Sequence, residues 1–357
     1  MLTPDSRTSE DAVLKRFTCA LFAVASLLSA SAPPAAAEDF YKGKTITLNV
    51  ANAAGGGYDA YARLLARYMG KYIPGEPAFV VKNVPGAGGM VMANTMYSQT
   101  PRDGLTIGMM SRANPIEPLL GNSAAKFKSE EFTWLGTSSS YEDDAYSLVI
   151  RADSPVKTIA DALKAGRPLT LGGLAAGGTD TDIVVIAREV FKLNVQLIRG
   201  YKGSQELNLA ITRGEVEGRA IGMSSLQTTM ADWLKEGKLR FLMQFGHEKR
   251  WKGLPDVPTA REVASLPEDK ALLELAELPF LMARPFMAPP EIPQPLADIL
   301  KKAFMDTHKD PDYLREANLM KVDVSPLSGD EIQKIVARIA RTPPDVIARY
   351  NAILHAK

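Results

Sequence analysis

The sequence predicts an α/β protein built from two similar halves that face each other across a ligand cleft. Three observations carry that expectation. Residues 46–50 form an apolar run, followed by Gly55, Gly56 and Gly57 and then by a helical pattern from Asp59 with apolar Ala60, Leu64, Leu65, Tyr68 and Met69. About 120 residues later the order repeats: an apolar run at 169–171, a glycine loop at 172–180 ending in Asp180, and a helical pattern at 183–191. The length of 357 residues also suits about two domains.

The chain opens with Lys15 and Arg16 ahead of an apolar, small-residue stretch at 17–32, and Ala35, Ala36 and Ala37 precede Glu38. That order of charge, apolar run and small residues is a secretory signal peptide, cleaved after Ala37. Cys19 is the only cysteine and falls inside it, so the mature chain is expected to hold no thiol and no disulfide. The segment 1–37 carries three basic residues (Arg7, Lys15, Arg16) and three acidic ones (Asp5, Glu10, Asp11), so the net charge stays at +1 without it. No basic excess points to nucleic acid as a partner. No later run has the apolar length of a membrane helix.

In the first half, residues 78–81 read as a second strand after the turn Pro74, Gly75, Glu76, Pro77. A second glycine loop follows at 85–89, then a helix at 90–98 with Met92 and Met96 as core filler, and a third strand at 105–110. Strand-loop-helix repeats of this kind form parallel sheets with sites at the carboxyl ends of the strands. There the glycines admit a ligand close to the backbone, and the first N–H groups of each helix lack partners. Ser111, Arg112, Ala113 and Asn114 fall on the same edge. Glu142, Asp143 and Asp144 read as a solvated link to the second half.

In the second half a strand at 147–151 leads to a helix with Thr158 as N-cap, Asp161 three residues on and Gly166 as the stop. Further strands are expected at 169–171, 195–198 and 239–244, with helices at 183–191 and 206–212. A rigid connection at 254–259 leads to a mainly helical remainder, with helices at 296–307, 330–340 and 345–354. The expected organisation is a first domain over 38–145, a second over 146–255, and a return to the first over 256–357.

Catalytic constellations are scarce. Gly55-x-Gly57-x-x-Ala60 fits the dinucleotide fingerprint and suggests an NAD- or FAD-dependent oxidoreductase as the alternative reading. Against it, the second strand runs into Lys82 and Asn83, where an acid for the ribose is needed. His247, His308 and His355 have no metal-site spacing. His308 and His355 fall near helix C-terminal ends, where the dipole favours them, and His247 reads as a surface residue. Gly222, Met223, Ser224, Ser225 and Leu226 do not complete a nucleophile elbow. This inventory argues for binding over catalysis, with no cofactor and no metal. Arg112 and Lys202 are the cations on strand-end loops, and the arginine fork matches a carboxylate bidentately.

Five stretches together resemble one family: AAGGGYDAYARLLARYM, VVKNVPGAGG, PRDGLTIGMM, GYKGSQELNLAITRGEVEG and LPDVPT. They are similar to the receptors of tripartite tricarboxylate transporters, the periplasmic solute-binding proteins often called the Bug family. The resemblance covers 39 to about 350. It implies the type II periplasmic-binding-protein arrangement, an exported monomer, and capture of a small carboxylate with two or three carboxyl groups by hinge closure. It further implies delivery to the membrane subunits of a tripartite carrier. A receptor that signals without feeding a transporter is the third reading.

In that family two loops, one per domain, hold the ligand largely through main-chain groups. Here they correspond to Ala54, Gly55, Gly56, Gly57, Tyr58 and Asp59, and to Ala176, Gly177, Gly178, Thr179 and Asp180. Gly86, Ala87 and Gly88 match the second glycine loop, Arg112 and Asn114 the loop after the third strand, and Tyr201 and Lys202 the tyrosine-glycine loop. The two acids, Asp59 and Asp180, are expected to cap helices and hold loops in shape. Three departures fall in or near the pocket: Ala51-Asn52-Ala53-Ala54 in place of a proline and an aromatic, Arg112 in place of a small polar residue, and Arg219 after GEVEG in place of an apolar stretch.

Overall fold

The computed structural model describes residues 40–354. The expected signal peptide and its cleavage after Ala37, with Cys19, and also His355, lie outside the described residues. Two mixed sheets organise the chain. The first contains β1 (Thr45–Val50), β2 (Ala78–Asn83), β3 (Thr106–Met109), β4 (Thr133–Thr137), β10 (Pro285–Ala288) and β11 (Leu327–Ser328), in the order β11-β4-β10-β3-β1-β2. The second contains β5 (Tyr146–Arg151), β6 (Leu169–Gly173), β7 (Val195–Arg199), β8 (Gly218–Gly222) and β9 (Leu239–Phe245), in the order β7-β6-β8-β5-β9.

Both sheets share one plan. A parallel trio, β2-β1-β3 or β7-β6-β8, is joined by an antiparallel strand, β10 or β5. Each antiparallel strand is the first one formed after the chain crosses over, so each sheet incorporates a crossing segment. The sequence pattern anticipates all three strands of the first trio and the first two of the second. It misses β4, β8 and β10, which are buried almost throughout and so lack the alternation that marks a half-exposed strand.

Strand β1 alternates, burying Ile46, Leu48 and Val50. Helix α1 (Gly57–Tyr68) covers them with Tyr61, Leu64 and Leu65, all in the same core. Each such side chain contributes about 1.5–3 kcal/mol on burial. Helix α1 starts two residues before Asp59. Helix α2 (Met90–Ser98) buries Met92 and Met96. Helix α3 (Ile159–Lys164) opens on a full capping box between Thr158 and Asp161. Helix α4 (Thr179–Glu189) starts four residues earlier than the apolar pattern indicates, because the loop already ends at Gly178. Helix α5 is Ser204–Arg213 and helix α6 is Met223–Thr229, followed by α7 (Ala231–Lys235) and α8 (Ala260–Val263).

The remainder adds α9 (Pro267–Glu277), α10 (Gln294–Thr307), α11 (Pro311–Met320), α12 (Gly329–Ala340) and α13 (Pro344–Leu354). Helix α13 packs against α9 and α4, and so reaches the second sheet's layer. No helix among the described residues is long and apolar enough to cross a membrane.

Three segments meet where the chain crosses between the sheets. Ser138 N–H donates to the Arg284 carbonyl at 3.1 Å, Ala283 N–H to Ser139 at 3.0 Å, and Ser325 N–H to Ser138 at 3.2 Å. The acidic link is not a solvated tether there. Asp144 is 1% exposed, and its carboxylate accepts from Ser224 Oγ at 2.5 Å and from Ser224 N–H at 3.2 Å. It thereby meets unpaired donors at the start of α6. Asp143 accepts from Trp251 Nε1 at 3.0 Å.

His308 caps α10 and braces the same crossing. Its Nδ1–H donates to the Phe304 carbonyl at 2.7 Å, which leaves Nε2 to accept from Ser138 Oγ at 2.8 Å. The expected dipole contact of a cationic ring does not form. Burial outweighs it and holds the imidazole pKa down at about 4, against an ordinary 6.5. Protonation is therefore penalised in the folded state, so stability present above pH 6.5 is lost as pH falls towards 4. Between pH 7 and 4.5 the stability advantage of wild type over His308→Gln should shrink by roughly 2 kcal/mol. Urea unfolding at the two pH values measures it; an unchanged difference would exclude His308 as the titrating group.

Candidate functional site

A cavity of about 390 Å³ opens between the two sheets, past the carboxyl ends of β1, β3, β6 and β8. From the first sheet's side Gly56, Gly57, Tyr58, Gly86, Ala87 and Gly88 line it, together with Arg112. From the other side come Gly178, Thr179, Asp180, Tyr201 and Lys202. Both α1 and α4 thus begin at the cavity wall, with their unpaired N–H groups there.

Ala54, Gly55, Asp59, Asn114, Ala176 and Gly177 are not in the lining, and several of them brace it. Asp59 accepts from Gly55 N–H at 2.9 Å, from Arg63 Nε at 3.0 Å and from Asn83 Nδ2 at 2.9 Å. Asp180 accepts from Leu174 N–H at 2.8 Å. Each acid ties the loop before its helix to the helix itself. Asn114 Nδ2 donates to the Gly88 carbonyl at 2.9 Å and anchors the second glycine loop.

The jaws touch. Gln205 Nε2, from α5, donates to the Gly55 carbonyl at 2.8 Å. A Cβ on Gly88 would lie 2.6 Å from the Ala176 carbonyl oxygen, and Gly88 has φ of +65°. Both facts require glycine where the two loops meet.

Arg112 is 3% exposed and stacks among rings. Its guanidinium lies 4.9 Å from the Tyr146 ring centroid, 5.0 Å from Tyr141, 5.2 Å from Phe280 and 5.8 Å from Tyr58. Arg112 donates to the Tyr58 phenol oxygen twice, from its backbone N–H at 3.0 Å and from Nε at 3.2 Å. Its Nη1 has no hydrogen-bond partner among the described residues. Arg284, fully buried, lies 4.9 Å from the Tyr58 ring and donates to Ser225 Oγ at 3.2 Å. Burial acts to push the Tyr58 phenol up, but Arg112 and Arg284 outweigh it and hold it below its ordinary value. With both lone pairs engaged by Arg112, the Tyr58 proton is free to be donated to whatever fills the cavity.

Sequence reasoning did not count Tyr146, Arg219 or Ser225 among the site residues, yet all three line the cavity. Arg219 sits on β8, a strand the pattern does not reveal. Its departure from the family's apolar stretch was the available signal.

The site is rich in donors: two helix starts, a phenol, two guanidinium groups and Lys202. Such a surface suits an anion. The model of the tripartite tricarboxylate transporter family receptor matches residues 62–356. This chain belongs to that family. A relative from Cupriavidus necator, the UPF0065 protein in the gbd 5' region, is 32% identical over 309 residues, covering 85% of this chain and 86% of the relative. The periplasmic binding protein BugD superposes with a TM-score of 0.68 at 21% identity, covering 88% of this chain and 98% of BugD. Rpa4515 of R. palustris, solved with adipate, superposes with a TM-score of 0.66 at 20% identity, covering 87% and 97%. The family is one of solute-binding receptors, and the type II periplasmic-binding-protein fold implied by the sequence segments holds.

In this receptor the phenol between two guanidinium groups is open to direct measurement. Alkaline titration followed by phenolate absorbance should show one tyrosine ionising below the ordinary value of about 10. Tyr58→Phe should remove that early step. Its persistence in the variant would assign it to another tyrosine.

Proposed function

We propose that this chain is a periplasmic binding protein that captures a small di- or tricarboxylate by hinge closure and passes it to the membrane subunits of a tripartite carrier. The observation that carries this reading is the donor-rich cavity between two helix starts, with Arg112 hydrogen-bonded to the Tyr58 phenol beside it. One ligand carboxylate would lie against the loop N–H groups and Arg112, with the Tyr58 hydroxyl as a further donor. Charge-assisted bonds of ~1.5–3 kcal/mol each suffice for the roughly 8 kcal/mol of a micromolar site, once ordering costs are met. The adipate in Rpa4515 is a dicarboxylate and supports the same class.

The proposal includes export as a monomer, with the signal peptide cleaved after Ala37. It includes the division into 38–145, 146–255 and 256–357, supported by the membership of β1–β4, β10 and β11 in one sheet and β5–β9 in the other. Dinucleotide binding is not favoured. Asn83, where a ribose-binding acid is needed, donates to Asp59 and to the Asn52 carbonyl, both at 2.9 Å.

Thermal shift across mono-, di- and tricarboxylates, amino acids and aromatic acids should show stabilisation by acids with more than one carboxyl group. Absence of any shift at millimolar concentration would sink the carboxylate reading. Calorimetry on Arg112→Ala should show diacid binding weakened ten-fold or more, about 1.4 kcal/mol. An unchanged dissociation constant would remove Arg112 from the site.

A further inference from the structure

Arg219 lines the cavity from the second lobe and is 2% exposed. Its Nη1 donates to Asn208 Oδ1 at 3.0 Å, and its Nε to the Ala220 carbonyl at 3.4 Å. Asn208 is itself buried, and its Nδ2 donates to Thr229 Oγ1 at 3.0 Å. Thr229 Oγ1 in turn donates to the Ser225 carbonyl at 2.6 Å. A relay of side chains on α5 and α6 therefore orients this guanidinium before any ligand arrives.

Among the described residues no acid is hydrogen-bonded to it. Asp180 is near enough to act on it, but that carboxylate accepts from Leu174 N–H, and burial pushes its pKa up towards the neutral form. A buried guanidinium held by neutral groups costs several kcal/mol unless an anion joins it. Arg112 poses the same problem on the opposite lobe. Tyr146, whose ring lies 4.9 Å from Arg112, is also within electrostatic reach of Arg219.

We infer that Arg219 is a specificity-determining residue that reads the second anionic group of the ligand from the lobe opposite Arg112, so that stable closure requires a dianion. The inference rests on the carboxylate-receptor reading above. A monoacid satisfies one lobe and leaves the other guanidinium unpaired in a closed, water-poor cleft. A diacid of matching length satisfies both and holds the jaws together.

The test is calorimetry with α,ω-diacids from butanedioate to hexanedioate, each against the monoacid of equal carbon number. Wild type should prefer the best diacid over its monoacid at least ten-fold. Arg219→Gln should bring the diacid down to the monoacid's affinity and move the monoacid less than two-fold. Arg219→Lys, which keeps the charge, should retain most of the preference and covers the case in which the glutamine variant does not fold. Small-angle scattering should show compaction of wild type by the diacid and not by the monoacid. Equal loss for both acids in Arg219→Gln, an undiminished diacid preference in that variant, or loss of the preference in Arg219→Lys overturns the inference while leaving carboxylate capture intact. Wild type that binds no acid overturns the reading beneath it.

Discussion

Positive charge buried without a matching acid is the constraint on which this molecule depends. Arg112 and Arg284 flank the phenol of Tyr58, and Arg219 faces the same cavity from across the cleft. Aromatic faces and neutral oxygens soften the cost of desolvating these groups without removing it. Arg284 lies deepest and feels Asp144 at the crossing. Arg112 and Arg219 line the cavity, bonded to a phenol and to an amide oxygen. The wall thus carries buried positive charge, and the rest of the fold holds that wall in place.

The repetition of one sheet plan explains how both walls acquire the same equipment. In each unit the first strand of the trio leads into a glycine loop, the loop into a helix start, and an acid on the first turn ties loop to helix. The antiparallel strands β5 and β10 are formed by the crossing segments, so the two sheets share a short bundle of connections. That bundle is fastened by buried polar groups: Asp144 on Ser224, His308 on Ser138, and Asp323, which accepts from Ser139 Oγ at 2.6 Å. Directional bonds of this kind constrain the geometry of a narrow crossing more tightly than apolar contact does.

Much of this was legible in the sequence because it rests on local chemistry. The glycine loops, the Thr158 capping box and the alternation of β1 each leave a short-range signature. What the sequence did not disclose depends on partners far along the chain. Strands β8 and β10 are buried on both faces and have no period to read. Arg219 cannot be aimed at a cavity until β8 is placed beside β6. Asp144 reads as a surface acid until the start of α6 arrives from about 80 residues away. His308 reads as a helix-end cation until Ser138 closes over it and dries its surroundings.

The contact between Gln205 and the Gly55 carbonyl joins two rims that are far apart in sequence and adjacent in space. Ala54 and Gln205 are both exposed, so each accepts a substitution without entering the core. The sequence has a single cysteine, at position 19, within the segment read as an export signal. Dyes attached through cysteines installed at 54 and 205 would therefore report the distance between the rims with no competing thiol within residues 40–354. Because one label replaces Gln205, the signal reads the approach of the two rims without the Gly55 hydrogen bond between them.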